Sequence, residues 1–93
     1  MDMVKWDGLT FEGNSIALFG AKLLVVKARR GMLGCGYLNV AAAEKLGHAL
    51  AVVTGVSCYD DMLRAEVKQV SSEARNLGVV PGMTGAEALK IMN

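Results

Sequence analysis

Cysteine is scarce in this sequence: only Cys35 and Cys58 occur, which excludes the disulfide-stapled scaffold that replaces a hydrophobic core in many small secreted domains. With a single histidine, His48, those two separated thiols cannot complete a closed zinc site within one chain, and Asp60-Asp61 lacks the ligand spacing of a calcium loop. Two Phe, two Tyr and one Trp are too few for a platform on which single-stranded nucleic acid stacks. Nor does one charge sign dominate. Ten Lys and Arg stand against nine Asp and Glu, whereas a nucleic-acid binder draws its affinity from many phosphate contacts and is strongly basic. No apolar run reaches the ~18–20 residues a bilayer span needs, and Met1 to Asp7 has neither the basic start nor the apolar stretch of a signal peptide. The expectation is a cytoplasmic protein with free thiols and no metal, cofactor, nucleic-acid or membrane partner.

What the sequence does hold is apolar surface. The 93 residues suit one domain and one core. Hydrophobic types make up 53% of them, and six are methionine. A chain of this length hides only about 60–65% of the surface its unfolded form exposes, so such an excess predicts that apolar surface is shared with further copies. A homo-oligomer is expected.

Along the chain the first 38 residues read as strands. Leu9 to Phe11 meets a Glu12-Gly13-Asn14 turn signal, Ser15 to Phe19 resumes, and Lys22 to Ala28 is rich in β-formers. Arg29-Arg30-Gly31 supplies a tight turn before Met32 to Leu38. Asn39 caps a short helix from Val40 to Leu46 that stops at Gly47, and Ala49 to Val56 reads as a buried strand. Ser57-Cys58-Tyr59-Asp60 is a capping-box variant with Asp in place of Glu. Val67, Val70, Ala74 and Leu77 form a helical stripe that closes at Gly78, with no Gly or Pro to separate it from the preceding helix. Past the breaker Val79-Val80-Pro81-Gly82, Thr84-Gly85-Ala86-Glu87 opens a C-terminal helix. The predicted fold is α+β: a mostly antiparallel sheet, made of an N-terminal meander plus one later strand, covered by short helices with the C-terminal helix last.

Two stretches, Gly31-Met32-Leu33-Gly34-Cys35-Gly36-Tyr37-Leu38-Asn39-Val40 and Asn76 to Leu89 with its Gly82-Met83-Thr84-Gly85-Ala86-Glu87 core, together with Thr54-Gly55-Val56, resemble the YunC-like domain of unknown function of bacteria and archaea. The resemblance runs from about Leu9 to Met92 and implies a compact α+β fold without an established activity. Two departures stand out: a shorter segment between the first helix and the next strand, and Ala65 where relatives commonly carry proline.

Candidate sites follow from residue chemistry. Cys35 lies between Gly34 and Gly36, where a ligand meets little side-chain bulk, and His48 is the one imidazole able to activate it as a nucleophile or redox thiol. The ordinary alternative is a small core thiol at a close approach of backbone. Gly82-Met83-Thr84-Gly85 offers amides and a hydroxyl at a helix start for a small anionic ligand, with Arg29 and Arg30 as counter-charge; against it, Thr84 and Glu87 satisfy the helix end themselves. The preferred reading is a non-enzymatic homo-oligomeric binding or scaffold module, and the alternative is a small enzyme built on Cys35.

Overall fold

In the computed structural model, which describes residues 1–93, the chain forms β1 (Asp2–Trp6), β2 (Leu9–Leu18), β3 (Ala21–Lys27), β4 (Met32–Gly34), α1 (Val40–Leu46), β5 (Leu50–Val52), α2 (Tyr59–Arg64), β6 (Gln69–Val70), α3 (Ser72–Leu77) and α4 (Gly85–Ile91). The strands lie in chain order across one open sheet. Every neighbouring pair is antiparallel except β4 and β5, which are parallel and joined through α1. The expected α+β architecture is therefore present, with the C-terminal helix last.

Because side chains alternate across a strand, the register sets Val4 beside Phe11, Val26 beside Leu33 and Leu33 beside Ala51 on one face. That face is buried under α2 and α4, which contribute Met62, Leu63, Ala86 and Leu89 to the main core, with Met92 added just past the end of α4. Each large side chain so buried stabilises the domain by about 1.5–3 kcal/mol before the entropy of ordering it is counted. On the opposite face α1 covers only β4 and β5, through Ala43 against Leu50 and Val52. The corresponding face of β1 to β3 has no helix over it. Lys90 reaches Asp7 at 2.6 Å and Arg64 lies 5.1 Å from the Trp6 ring, so both covering helices also grip the first hairpin. The Lys90 hydrogen bond, and then its charge, hold the Asp7 carboxyl below its ordinary pKa.

Several local expectations are met. Asn39 Oδ1 accepts the Ala41 amide at 2.7 Å, and Gly47 closes α1 in the left-handed region. Thr84 and Glu87 form a reciprocal capping box at α4. The hydrogen bonds from Thr84, backbone first, hold the Glu87 carboxyl below its ordinary pKa.

Others are corrected. Glu12-Gly13-Asn14 is no turn, because β2 runs straight through it. A Cβ on Gly13 would come within 2.7 Å of Val4 Cγ2 and 2.8 Å of Tyr59 Cζ, so this glycine admits the Tyr59 ring against the strand. The reversal occurs instead at Asp7-Gly8, both with positive φ as a tight two-residue hairpin turn requires, and it adds a strand, β1, that the expected meander lacked. The strand anticipated from Ala49 to Val56 shortens to Leu50–Val52, and the return from Met32 to Leu38 shortens to Met32–Gly34. At α2 the cap sits one residue later than expected. Cys58 Sγ accepts the Asp61 amide, while the Asp61 carboxylate accepts the Ser57 amide at 3.1 Å and hydroxyl at 3.0 Å. Those bonds, the amide first, lower the Asp61 pKa.

The stripe from Val67 to Leu77 is not one helix. Val70 belongs to β6, a second later strand added beside β5, and α3 starts only at Ser72 behind an N-cap at Ser71. Tertiary partners override the local helical period: the Val67 amide donates to the Met83 carbonyl at 2.7 Å and the Lys68 amide to the Val52 carbonyl at 2.8 Å. Ala65 ends α2 at φ −74°, a value open to proline as well, although its amide still donates to Asp61.

Candidate functional site

The β2–β3 hairpin outgrows the sheet. β1 pairs with β2 only as far as Gly13, and β4 pairs with β3 only from Val25, so Ser15 to Leu23 form an arm whose strands hold only each other. At its tip Phe19 is fully exposed, and Gly20 takes the positive φ of the turn. Between this arm and the segments that follow β4 and β5 opens a groove of about 960 Å³. One wall is the arm, from Ala17 to Lys22; the other is Cys35, Gly36 and Tyr37 with Gly55, Val56 and Ser57. It lies at the carboxyl ends of the only parallel strand pair, where open sheets place their ligands.

Cys35 lines that groove but is only 4% exposed, and its Sγ accepts the Leu24 amide at 3.3 Å. His48 stands elsewhere. It precedes β5, while Cys35 follows β4, and in the parallel register Gly34 is beside Val52. At about 3.3 Å per residue the imidazole's segment is therefore displaced by roughly 16 Å along the strands. His48 is exposed and lines a separate cavity of about 300 Å³ with Arg30 and Gly31.

The proposed anion turn and its two arginines also lie apart. Arg30 donates through its guanidinium to the Ile91 carbonyl at 2.7 Å and through its amide to the Met92 carbonyl, so it closes the C-terminal end of α4, where a cation suits the helix dipole. Arg29 is its exposed neighbour. Gly82, Met83, Thr84 and Gly85 stand at the other end of this seven-residue helix, roughly 10 Å away. There the Gly82 amide donates to Val67, the Thr84 amide to Glu87 and the Gly85 amide to Ala65. Three donors of that turn are thus engaged within the fold.

Of the carboxylates, Asp60 pairs with Arg64 at 2.9 Å and Asp61 is held by Ser57. Tyr59 donates to Asp2 at 2.7 Å; burial, and then that hydrogen bond, raise its hydroxyl pKa. No cluster of His, Cys, Asp or Glu has the geometry of a metal site, and no helix is long and apolar enough to cross a membrane.

Sequence reasoning reached Cys35 but missed Phe19, Lys22, Tyr37 and Val56, which line the same groove. The available signal was the strand–helix–strand order from Met32 to Val52, which marks a parallel pair and hence a crevice at its carboxyl ends.

The comparisons with known proteins agree with this fold. The model of a domain of unknown function, DUF1805, matches residues 34–92. The chain is 33% identical to the uncharacterised protein YunC of Bacillus subtilis (strain 168) over 87 residues, 89% of this chain and 86% of that protein. It also superposes on the crystal structure of a protein of unknown function, TA1206, from Thermoplasma acidophilum. The TM-score is 0.90 at 33% identity, covering 99% of this chain and 90% of that one.

Proposed function

The chain belongs to the DUF1805 family of domains of unknown function, and we propose that it serves as a non-enzymatic homo-oligomeric module that associates with further copies through the outer face of its β2–β3 arm. The observation that carries this reading is the uncovered apolar strip there. Ile16, which belongs to neither core cluster, pairs with Leu23, and Val25 follows Leu23 on the same face; Leu23 and Val25 are half-buried, Leu23 in part against the main core. Ile16 is 56% exposed, and Met3 on the same side is 69% exposed. Past Gly13 the β2 edge also has no strand beside it, and an open apolar edge invites pairing with a like edge. A two-fold arrangement buries the same strip on both copies, and stable interfaces of this kind hide ~800 Å² per partner.

Light scattering after gel filtration tests it. The wild type is expected at twice the 9.8 kDa chain mass or more. Ile16→Asp should run at the monomer mass with an unchanged circular dichroism spectrum, and Thr10→Asp, exposed near the base of the same face, should stay associated. A monomeric wild type at tens of micromolar ends the proposal.

One observation favours a second reading, an enzyme using Cys35: its thiol borders the groove and accepts an amide. Thiol titration of the native protein separates the two readings. Under the preferred one, exposed Cys58 is modified rapidly, and Cys35 reacts at least ~100-fold more slowly because its modification awaits local opening. If Cys35 is the faster thiol, the enzymatic reading prevails.

A further inference from the structure

We propose that the groove between the β2–β3 arm and the carboxyl ends of β4 and β5 is a binding site for a small amphipathic carboxylate. In this arrangement the apolar tail lies along the arm, and the charge meets Lys22 together with backbone amides after the two parallel strands.

The electrostatics of the lining select the sign. Lys22 is the only charged side chain on the groove, and none of the molecule's four ion pairs includes it. Across from it the amides of Gly36, Tyr37, Gly55 and Val56 donate to no acceptor in the protein. Two of these positions keep the backbone bare. Gly55 takes φ +71° with nothing around its Cβ position, and a Cβ on Gly36 would meet only a methyl of Thr54, at 3.6 Å. Such exposed donors with one cation and no carboxylate form an anion-binding concavity. The remaining wall is apolar: Ala17, Leu18, Phe19, Ala21 and Val56. A plain inorganic anion leaves that wall wet, and a neutral apolar ligand leaves the donors unpaired; an aliphatic carboxylate satisfies both.

This inference does not rest on self-association. Ile16, Leu23 and Val25 lie outside the groove lining, so the two surfaces share the arm without sharing a residue.

The test is titration of the 15N-labelled protein with sodium octanoate, followed through its amide resonances. Saturable shifts are expected at Gly36, Tyr37, Gly55 and Val56, with octan-1-ol and inorganic phosphate each binding at least about fivefold more weakly. Lys22→Met keeps the apolar stem and should weaken octanoate about fivefold, the effect of removing one partly exposed ion pair. Ile16→Asp should bind octanoate as the wild type does, whatever its native mass. Shifts that are absent or scattered over the surface overturn the proposal. So does octan-1-ol or phosphate matching octanoate, or Lys22→Met binding undiminished.

Discussion

Gly85→Ala is expected to destabilise the domain by about 3 kcal/mol, although helix propensity alone predicts a gain of up to ~1 kcal/mol from replacing a glycine at an ordinary helical position. Gly85 is the first residue of α4, and its amide donates to the Ala65 carbonyl at 2.9 Å. A Cβ there would drive into the Met62 carbonyl oxygen and come within 2.8 Å of Leu33 Cδ2. The first obstacle is backbone, so no rotamer change relieves it. α4 must back away from α2, and the packing of Met62 and Leu89, both fully buried, loosens with it. Overpacking of this kind costs ~1–3 kcal/mol, and more where backbone has to move. For a domain of this size the loss lowers Tm by roughly 12–20 °C. Urea unfolding of the variant checks the prediction, and a midpoint equal to or above wild type would refute the contact.

Ser71→Ala is the second large effect, expected at about 2–3 kcal/mol. Ser71 is 1% exposed, and its hydroxyl connects three elements. It accepts the Leu50 amide at 2.9 Å and the Ala74 amide at 3.4 Å, and it donates to the His48 carbonyl at 2.8 Å. Alanine removes the cap of α3 and leaves buried backbone groups at the entry to β5 unpaired, and each such group costs ~1–3 kcal/mol. The adjacent Ser72 is exposed and bonds Glu44, so Ser72→Ala should change stability by less than ~0.5 kcal/mol. Hydrogen exchange supplies a local readout: the Leu50 amide should lose protection in Ser71→Ala beyond the global loss. Equal stability of the two variants would remove Ser71 from this role.

Ser71 also shows why part of the fold escaped sequence reasoning. Val67, Val70, Ala74 and Leu77 repeat with helical spacing, and no glycine or proline interrupts them. Yet the free edge of β5 takes Val70 into β6, and the carbonyls of Val52 and Met83 take the amides of Lys68 and Val67. A short helical period is a weak signal, and three backbone partners outweigh it. Gly13 failed for a related reason. A glycine beside an asparagine reads as a turn, but here the missing side chain is needed by a tyrosine far along the chain. By contrast the caps at Asn39, Gly47, Thr84 and Glu87 were legible, since each joins groups no more than four residues apart.

The candidate site divides in the same way. Cys35 between two glycines is visible in the sequence, as is the spacing that makes Thr84 and Glu87 cap each other. That His48 and Cys35 stand at opposite ends of β4 and β5 follows only from parallel pairing. That Lys22 lines one groove with Gly36 and Gly55 follows only from an arm longer than the strands beside it. By itself, then, the sequence determined the α+β class, the family resemblance and the helix ends, because these depend on neighbours along the chain and on composition. Which apolar faces stay uncovered, and which donors share one groove, the tertiary structure alone decided: those depend on strand register and helix placement, which are set by contacts between residues remote in sequence.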